Sequence, residues 1–408
     1  MVLLSAGLGP QGGNVGPHPV SALNPPESRV ALYLLNGNEY LEGMLGSWKA
    51  RCIPFNVNYR YVAAELRYLL EDSGAEAVIV HDRFTSVLAD VIGTMDHPPR
   101  LILAVADGSE RAELPGLVDY EGALGSASPE LPPDIVRAWS GDDHYLCYTG
   151  GTTGMPKGAL WRQGDFLVSA LGVTRKDGSE FESIDEVADF ATSSMRAMPA
   201  PPLMHGAAHW NAMSAWIGGG TIVIQDVVDH FDPTSILETA ERHRATSLLL
   251  VGDPMARPLL DVLDAESETG TTRDLSSIRH IVSGGAVLSA ESKRRLLDRF
   301  SGVRIIDVLG STESGRQGIA SAAGDGTGNT GRFVSADTAK VLNEDLTRVL
   351  RPGEDAIGWL TQSGRVPLGY MNDPDKSAHV PRGRRRPLCS RRRPCESRCR
   401  RRDRTPWP

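Results

Sequence analysis

One stretch of the chain, YTGGTTGMPKG at residues 148–158, gathers groups that suit an anionic ligand. Three hydroxyls (Thr149, Thr152, Thr153), the backbone N–H groups of Gly150, Gly151 and Gly154, and the ammonium of Lys157 stand within eleven residues. Phosphate oxygens accept hydrogen bonds from all of these, and the cation offsets their charge. The spacing is not that of the G-x-x-x-x-G-K-[ST] loop, because Lys157 follows Pro156 and precedes Gly158. A generic glycine-rich turn has no need of three threonines and a lysine. The apolar run HYLCYT just before it reads as a strand. The loop therefore falls at a strand's carboxyl end, where α/β proteins bind ligands.

Three more blocks follow in order: PPLMHG at 201–206, VSGGAVLS at 282–289 and LGSTESG at 309–315. With residues 148–158 they resemble the acyl-activating adenylate-forming superfamily, which includes acyl-CoA synthetases, luciferases and peptide-synthetase adenylation domains. The phrases YTGGTTGMPKGALWRQ and GDPMARPLLD look most like bacterial acyl-CoA synthetases of the fatty-acid and steroid-catabolism type. The resemblance runs from about residue 29 to about residue 378.

The resemblance implies a chemistry that explains the residue types. A carboxylate attacks the α-phosphate of ATP, pyrophosphate leaves, and coenzyme A captures the acyl-adenylate. Charge on the separating phosphates calls for a cation, Mg²⁺ and oriented donors rather than a protein nucleophile. By motif, Lys157 with Thr149, Gly150, Gly151, Thr152, Thr153 and Gly154 holds the phosphates. Glu313 and Thr149 hold Mg²⁺ through hard oxygen atoms. Gly284, Gly285, Ala286, Leu309, Gly310, Ser311 and Thr312 border the adenine. His205 sits by the acyl group as the third catalytic candidate, although a lone His after an apolar run also suits a purely structural place. On the helical stretch GAAHWNAMSAWI, the spacing puts His209, Trp210 and Met213 on one face as an acyl pocket. Core packing gives the same pattern. A wide apolar face favours an apolar acid over a small one.

The elements that must position these groups alternate along the chain. Apolar runs RVALYLL, EAVIVH and RLILAVA are separated by the amphipathic stretches EYLEGMLGSWKAR and AAELRYLLEDSG, the signature of a parallel sheet with crossover helices. A second series, HYLCYT, TIVIQ, TSLLLV, IRHIVSGG and RIIDVLG, has helical candidates at 233–243 and 290–300. The expected fold is α/β: an irregular lead-in at 1–28, an AMP-binding large domain of two layered subdomains at 29–328, and a small β subdomain at 329–378. No run approaches the roughly 18 apolar residues of a membrane span.

Composition bounds the rest. The 408 residues allow two or three domains and a large core. The net charge of −8 conceals an asymmetry: residues 379–408 hold twelve Arg and two acids, and the body before them holds 31 basic and 49 acidic residues. An acidic body does not suggest a nucleic-acid groove. Three of five cysteines lie in that tail, and the two that remain, Cys52 and Cys147, point to a reducing, cytoplasmic compartment. The start, MVLLSAGLG, lacks the basic flank of a secretory signal.

Departures from the family pattern are local until the tail. Leu309 stands where many members place an aromatic ring, and Val287 replaces a frequent Pro. After GRVPLGYMNDPDKSA the family continues into an Asp for the ribose, a hinge and a small C-terminal domain with a catalytic Lys. The Arg-rich tail stands there instead. It reads as an extension that binds nucleic acid or acidic lipid, or as a GC-rich gene translated out of frame, with the second reading favoured by twelve Arg and no Lys. The resemblance then implies that the chain as given makes little acyl-CoA. The opposing expectation is a non-catalytic protein that binds ATP or an acyl group.

Overall fold

In a computed structural model, residues 1–10, 21–151, 154–323, 331–335 and 338–378 are described. Thr152, Thr153 and the tail lie outside them. The described residues divide into two compact units, Met1–Phe166 with 367–378, and Leu167–Val366.

The first unit is built on a five-stranded sheet of β1 (Arg29–Tyr33), β2 (Ile53–Asn56), β3 (Ala75–His81), β4 (Leu101–Val105) and β5 (Leu117–Asp119), in the order β2-β1-β3-β4-β5. Every pairing is parallel. Strands β1, β3 and β4 are buried along their whole length, as expected where helices cover both faces of a parallel sheet. The helix Ala63–Ser73 turns Leu66, Leu69 and Leu70 onto Val78 and Val80 of β3, and it ends at Gly74 in the left-handed region. The helix Asn38–Lys49 lies so close to the sheet that a Cβ on Gly43 would come within 2.8 Å of Ile79.

Next come β6 (His144–Gly151) and β7 (Gly154–Arg162), an antiparallel hairpin joined on its far side by the strand Gly369–Tyr370. The run HYLCYT is therefore a strand of a separate three-stranded sheet rather than of a parallel layer. Two residues between the strands are too few for a crossover, so the chain must return antiparallel. Order also starts earlier than the Gly and Pro content suggests. Leu3 and Leu8 are buried, and Ser28 donates its N–H to the Gly9 carbonyl (2.9 Å).

The second unit holds β8 (Arg196–Pro199), β9 (Thr221–Ile222), β10 (Ser247–Leu250), β11 (His280–Gly284), β12 (Arg304–Ser311), β13 (Gly315–Ala322) and β14 (Val334–Ser335). Their order is β14-β13-β12-β11-β10-β8-β9. The stretch from β9 to β12 is parallel, and β13 and β14 add antiparallel. The crossovers run through helices Gly206–Ile217, Pro233–Arg242, Gly252–Glu268 and Ala290–Arg299. Of the run TIVIQ only Thr221 and Ile222 pair as a strand. Beyond the sheet, β15 (Ala339–Asn343) and β16 (Gly358–Gln362) form a two-stranded sheet over a small cluster of Val341 and Leu350.

Candidate functional site

In the first unit the β6–β7 hairpin sets the groups of residues 148–158 across from one another. Thr149 pairs directly with Lys157 and Gly151 with Gly154, so the single Gly150 of β6 faces two residues of β7, Met155 and Pro156, where the register shifts. Gly154 sits at φ +143, a conformation that L side chains rarely adopt. The base of the hairpin is braced by Asn56 at the end of β2. Its side-chain amide donates to the Tyr148 carbonyl and accepts from the Tyr148 N–H, both at 2.8 Å. The Tyr148 hydroxyl donates to Asp72 (2.6 Å), and a Cβ on Gly158 would lie 2.9 Å from the Tyr148 ring. That position is therefore closed to larger residues. Gly369–Tyr370 pairs with β7, and the Lys157 ammonium lies 5.5 Å from the centre of the Tyr370 ring. A cation–π contact of this kind holds a lysine without neutralising it.

In the second unit the remaining blocks share one edge. Strands β8, β10, β11 and β12 are parallel neighbours, so their carboxyl ends line up. PPLMHG follows β8, GDPM follows β10, the SGGAVLS loop ends β11, and LGSTESG ends β12. Beyond β8 the chain crosses to β9 on one side, and beyond β10 it crosses to β11 on the other. That reversal is the switch point at which open α/β sheets take ligands.

LGSTESG forms the tight turn of the β12–β13 hairpin. Gly310 lies so near Gly315 that a Cβ would meet its carbonyl oxygen at 2.4 Å, and Gly315 has φ +68. Within the turn, Ser311 Oγ accepts the Glu313 N–H (3.2 Å) and contacts Ser314 Oγ (3.0 Å). Thr312 donates its hydroxyl to Glu313 Oε2 (3.0 Å). Glu313 is half-buried amid hydroxyl oxygens. This all-oxygen set, with a single carboxylate, fits Mg²⁺, which usually takes one or two carboxylates and completes its shell with water and substrate phosphate. Among the described residues no cluster of three His, Cys, Asp or Glu could hold a metal by itself.

Beside it, Gly284 ends β11, Gly285 (φ +81) and Ala286 are exposed, and Leu309 is half-buried on β12. His205 is exposed at the start of the helix Gly206–Ile217, whereas His209 is buried within it. His209 donates Nδ1–H to the Leu203 carbonyl (2.8 Å), and burial pushes its pKa down to about 4. Met213 is buried one turn further on, and Trp210 is half-buried. Thus His209 and Met213 belong to the helix's packed face, with Trp210 at its margin. The sequence reading passed over Asn56, Tyr370 and Asp253. Only for Asp253 was there a signal, in the phrase GDPMARPLLD.

Residues 25–370 match the family model described as AMP-binding enzyme. The chain is 43% identical over 352 residues to the medium-chain acyl-CoA ligase Mig of Mycobacterium avium, covering 86% of this chain and 62% of that protein. It is 33% identical to the 3-oxocholest-4-en-26-oate–CoA ligase of Rhodococcus rhodochrous, covering 86% of this chain and 63% of the relative. The chain thus spans less than two thirds of the length of these relatives. Among solved structures, the inhibitor-bound N-terminal domain of FACL13 from Mycobacterium tuberculosis superposes with a TM-score of 0.70 at 20% identity, covering 95% of this chain and 84% of that one. At that identity the likeness speaks for the fold.

Proposed function

The chain belongs to the AMP-binding enzymes, and from that premise we propose that it serves ATP-dependent activation of a fatty or steroid-derived carboxylic acid, first to the acyl-adenylate and then to the coenzyme A thioester. The observation that carries the reading is the alignment of four motif loops along the carboxyl edge of β8, β10, β11 and β12. Residues 284–286 with Leu309, Gly310, Ser311 and Thr312 offer backbone and a small apolar surface to the base. His205, exposed at the helix start beside them, is assigned to the acyl end. Glu313 is assigned as the carboxylate ligand of Mg²⁺, which when bound draws charge from the phosphate oxygens. In the hairpin of the other unit, Lys157 and the Thr149 hydroxyl opposite it are assigned to the phosphates. Their part is charge neutralisation and orientation as pyrophosphate departs.

The relatives' printed names, a medium-chain acyl-CoA ligase and a 3-oxocholest-4-en-26-oate–CoA ligase, support an apolar acid. A second reading, binding without turnover, follows from the 62% span if the remaining length of the relatives supplies a reacting group. Incubating the 408-residue chain with ATP, Mg²⁺ and a panel of acetate, aromatic, medium-chain and steroid side-chain acids separates the two. Pyrophosphate release that depends on a medium-chain or steroid acid supports activation. ATP binding with no release supports the second reading, and acetate as the preferred acid contradicts the substrate class.

A further inference from the structure

The turn after β10 grips the loop after β11. Gly252 opens the helix Gly252–Glu268 at φ +55, and a Cβ there would lie 2.5 Å from the Val287 carbonyl oxygen and 2.8 Å from the Ala286 backbone. Only glycine allows this approach. Gly252 N–H donates to Ser283 Oγ (3.3 Å), and Asp253 N–H donates to the Val287 carbonyl (2.9 Å). In return Ser289 N–H donates to Asp253 Oδ1 (2.9 Å). Arg257, one turn along the helix, pairs with Asp253 Oδ2 (2.8 Å). Burial works to raise the Asp253 pKa, but the Ser289 N–H, the Ser292 and Ser289 hydroxyls and Arg257 together hold it below the usual carboxylate range.

The gripped loop has an unusual need for such support. Residues 285–287 are exposed, with Val287 at 62% exposure, so their own side chains bury little that would fix the backbone. Only Leu288 is buried before Ser289 caps the helix Ala290–Arg299 by accepting the Ser292 N–H. Each Asp253 oxygen accepts a hydrogen bond from the protein, Oδ1 from Ser289 N–H and Oδ2 from Arg257, so the carboxylate ties the loop to the helix. We propose that Asp253 is a positioning residue that clamps residues 284–289 in the conformation that meets the nucleotide base; the inference rests on the assignment of that loop to adenine.

The test uses Asp253→Ala and Asp253→Asn in the 408-residue chain, with three measurements: amide hydrogen exchange over residues 284–289, AMP affinity by calorimetry at 25 °C, and unfolding temperature. A hydrogen bond to a charged acceptor is strong enough that its loss should speed exchange in the loop about tenfold and weaken AMP about tenfold. Asp253→Asn keeps an oxygen for the Ser289 N–H and should recover most of both effects. Unchanged loop exchange in Asp253→Ala overturns the proposal. So does a rise spread evenly over β10, β11 and β12, which marks a merely structural role, and so does an Asn variant no better than Ala. If the parent chain binds no AMP, the nucleotide reading fails, and the exchange data still decide the clamp.

Discussion

Lys157 is the residue proposed to meet the phosphates. The Tyr370 ring holds its ammonium at 5.5 Å, and Thr149 stands opposite it in the ladder. Lys157→Ala should lower acid-dependent pyrophosphate release by roughly 10²- to 10³-fold, the scale of losing one preorganised charge donor, with little change in the acid concentration for half-maximal rate. An equal change in that concentration with no loss of rate would place Lys157 in acid binding instead. His209 gives a separate prediction. Its folded pKa, about 4, lies below the ordinary 6.5, so the unfolded chain binds the extra proton between those values. Above pH 6.5 this histidine costs nothing; as pH falls toward 4 stability should drop by about 3 kcal/mol from this group. Chemical unfolding across pH 4–8 should show a flatter acid limb in His209→Gln than in the parent. The candidate role of residues 148–158 was proposed from types and spacing, because hydroxyls, glycines and a lysine crowd one stretch of sequence. Asn56 and Tyr370 were not, because each acts through a partner far along the chain.

At the scale of elements, the helix Ala290–Arg299 is tied to β12 by a buried ion pair between Lys293 and Asp307, whose side chains are 3% and 12% exposed. Burial pushes the Asp307 carboxyl above its usual range, and Lys293 offsets this. Removing one partner strands a charge, so Lys293→Met alone should cost about 3–5 kcal/mol of unfolding free energy. The paired change Lys293→Met with Asp307→Leu should be near neutral or stabilising. Denaturant titration of the three proteins checks this, and a double variant as weak as the single one would contradict it. Runs such as RVALY and AEAVIVH declared themselves as buried parallel strands. The helix Gly252–Glu268 did not, because Pro254 and Pro258 read as breakers. Yet Pro254 falls in the first turn, and the ring of Pro258 replaces a single N–H donor. Four-residue β8 was hidden in a stretch rich in Met and Pro, and its strand character comes from pairing with β10. Only two residues separate β6 from β7, so the two strands pair antiparallel, a consequence of sequence spacing that the expectation of a parallel layer overlooked.

For the whole molecule, the order of four motifs carried the family assignment, which the match over residues 25–370 bears out. Composition could not do this, since its values are those of any soluble α/β protein. What the sequence could not place was how the loops share one edge, because that depends on the crossing of the chain at β8 and β10. The proposed function requires that this edge bind an acyl-adenylate whose acyl part is apolar. The direct measurement is calorimetric titration of the 408-residue chain with a ten-carbon acyl sulfamoyl-adenosine, a stable mimic of the adenylate, and with its acetyl counterpart. Saturable one-to-one binding of the ten-carbon compound is expected, at least about tenfold tighter than the acetyl one, since each buried methylene adds about 0.8 kcal/mol. No saturable binding of either compound, or tighter binding of the acetyl one, would contradict it.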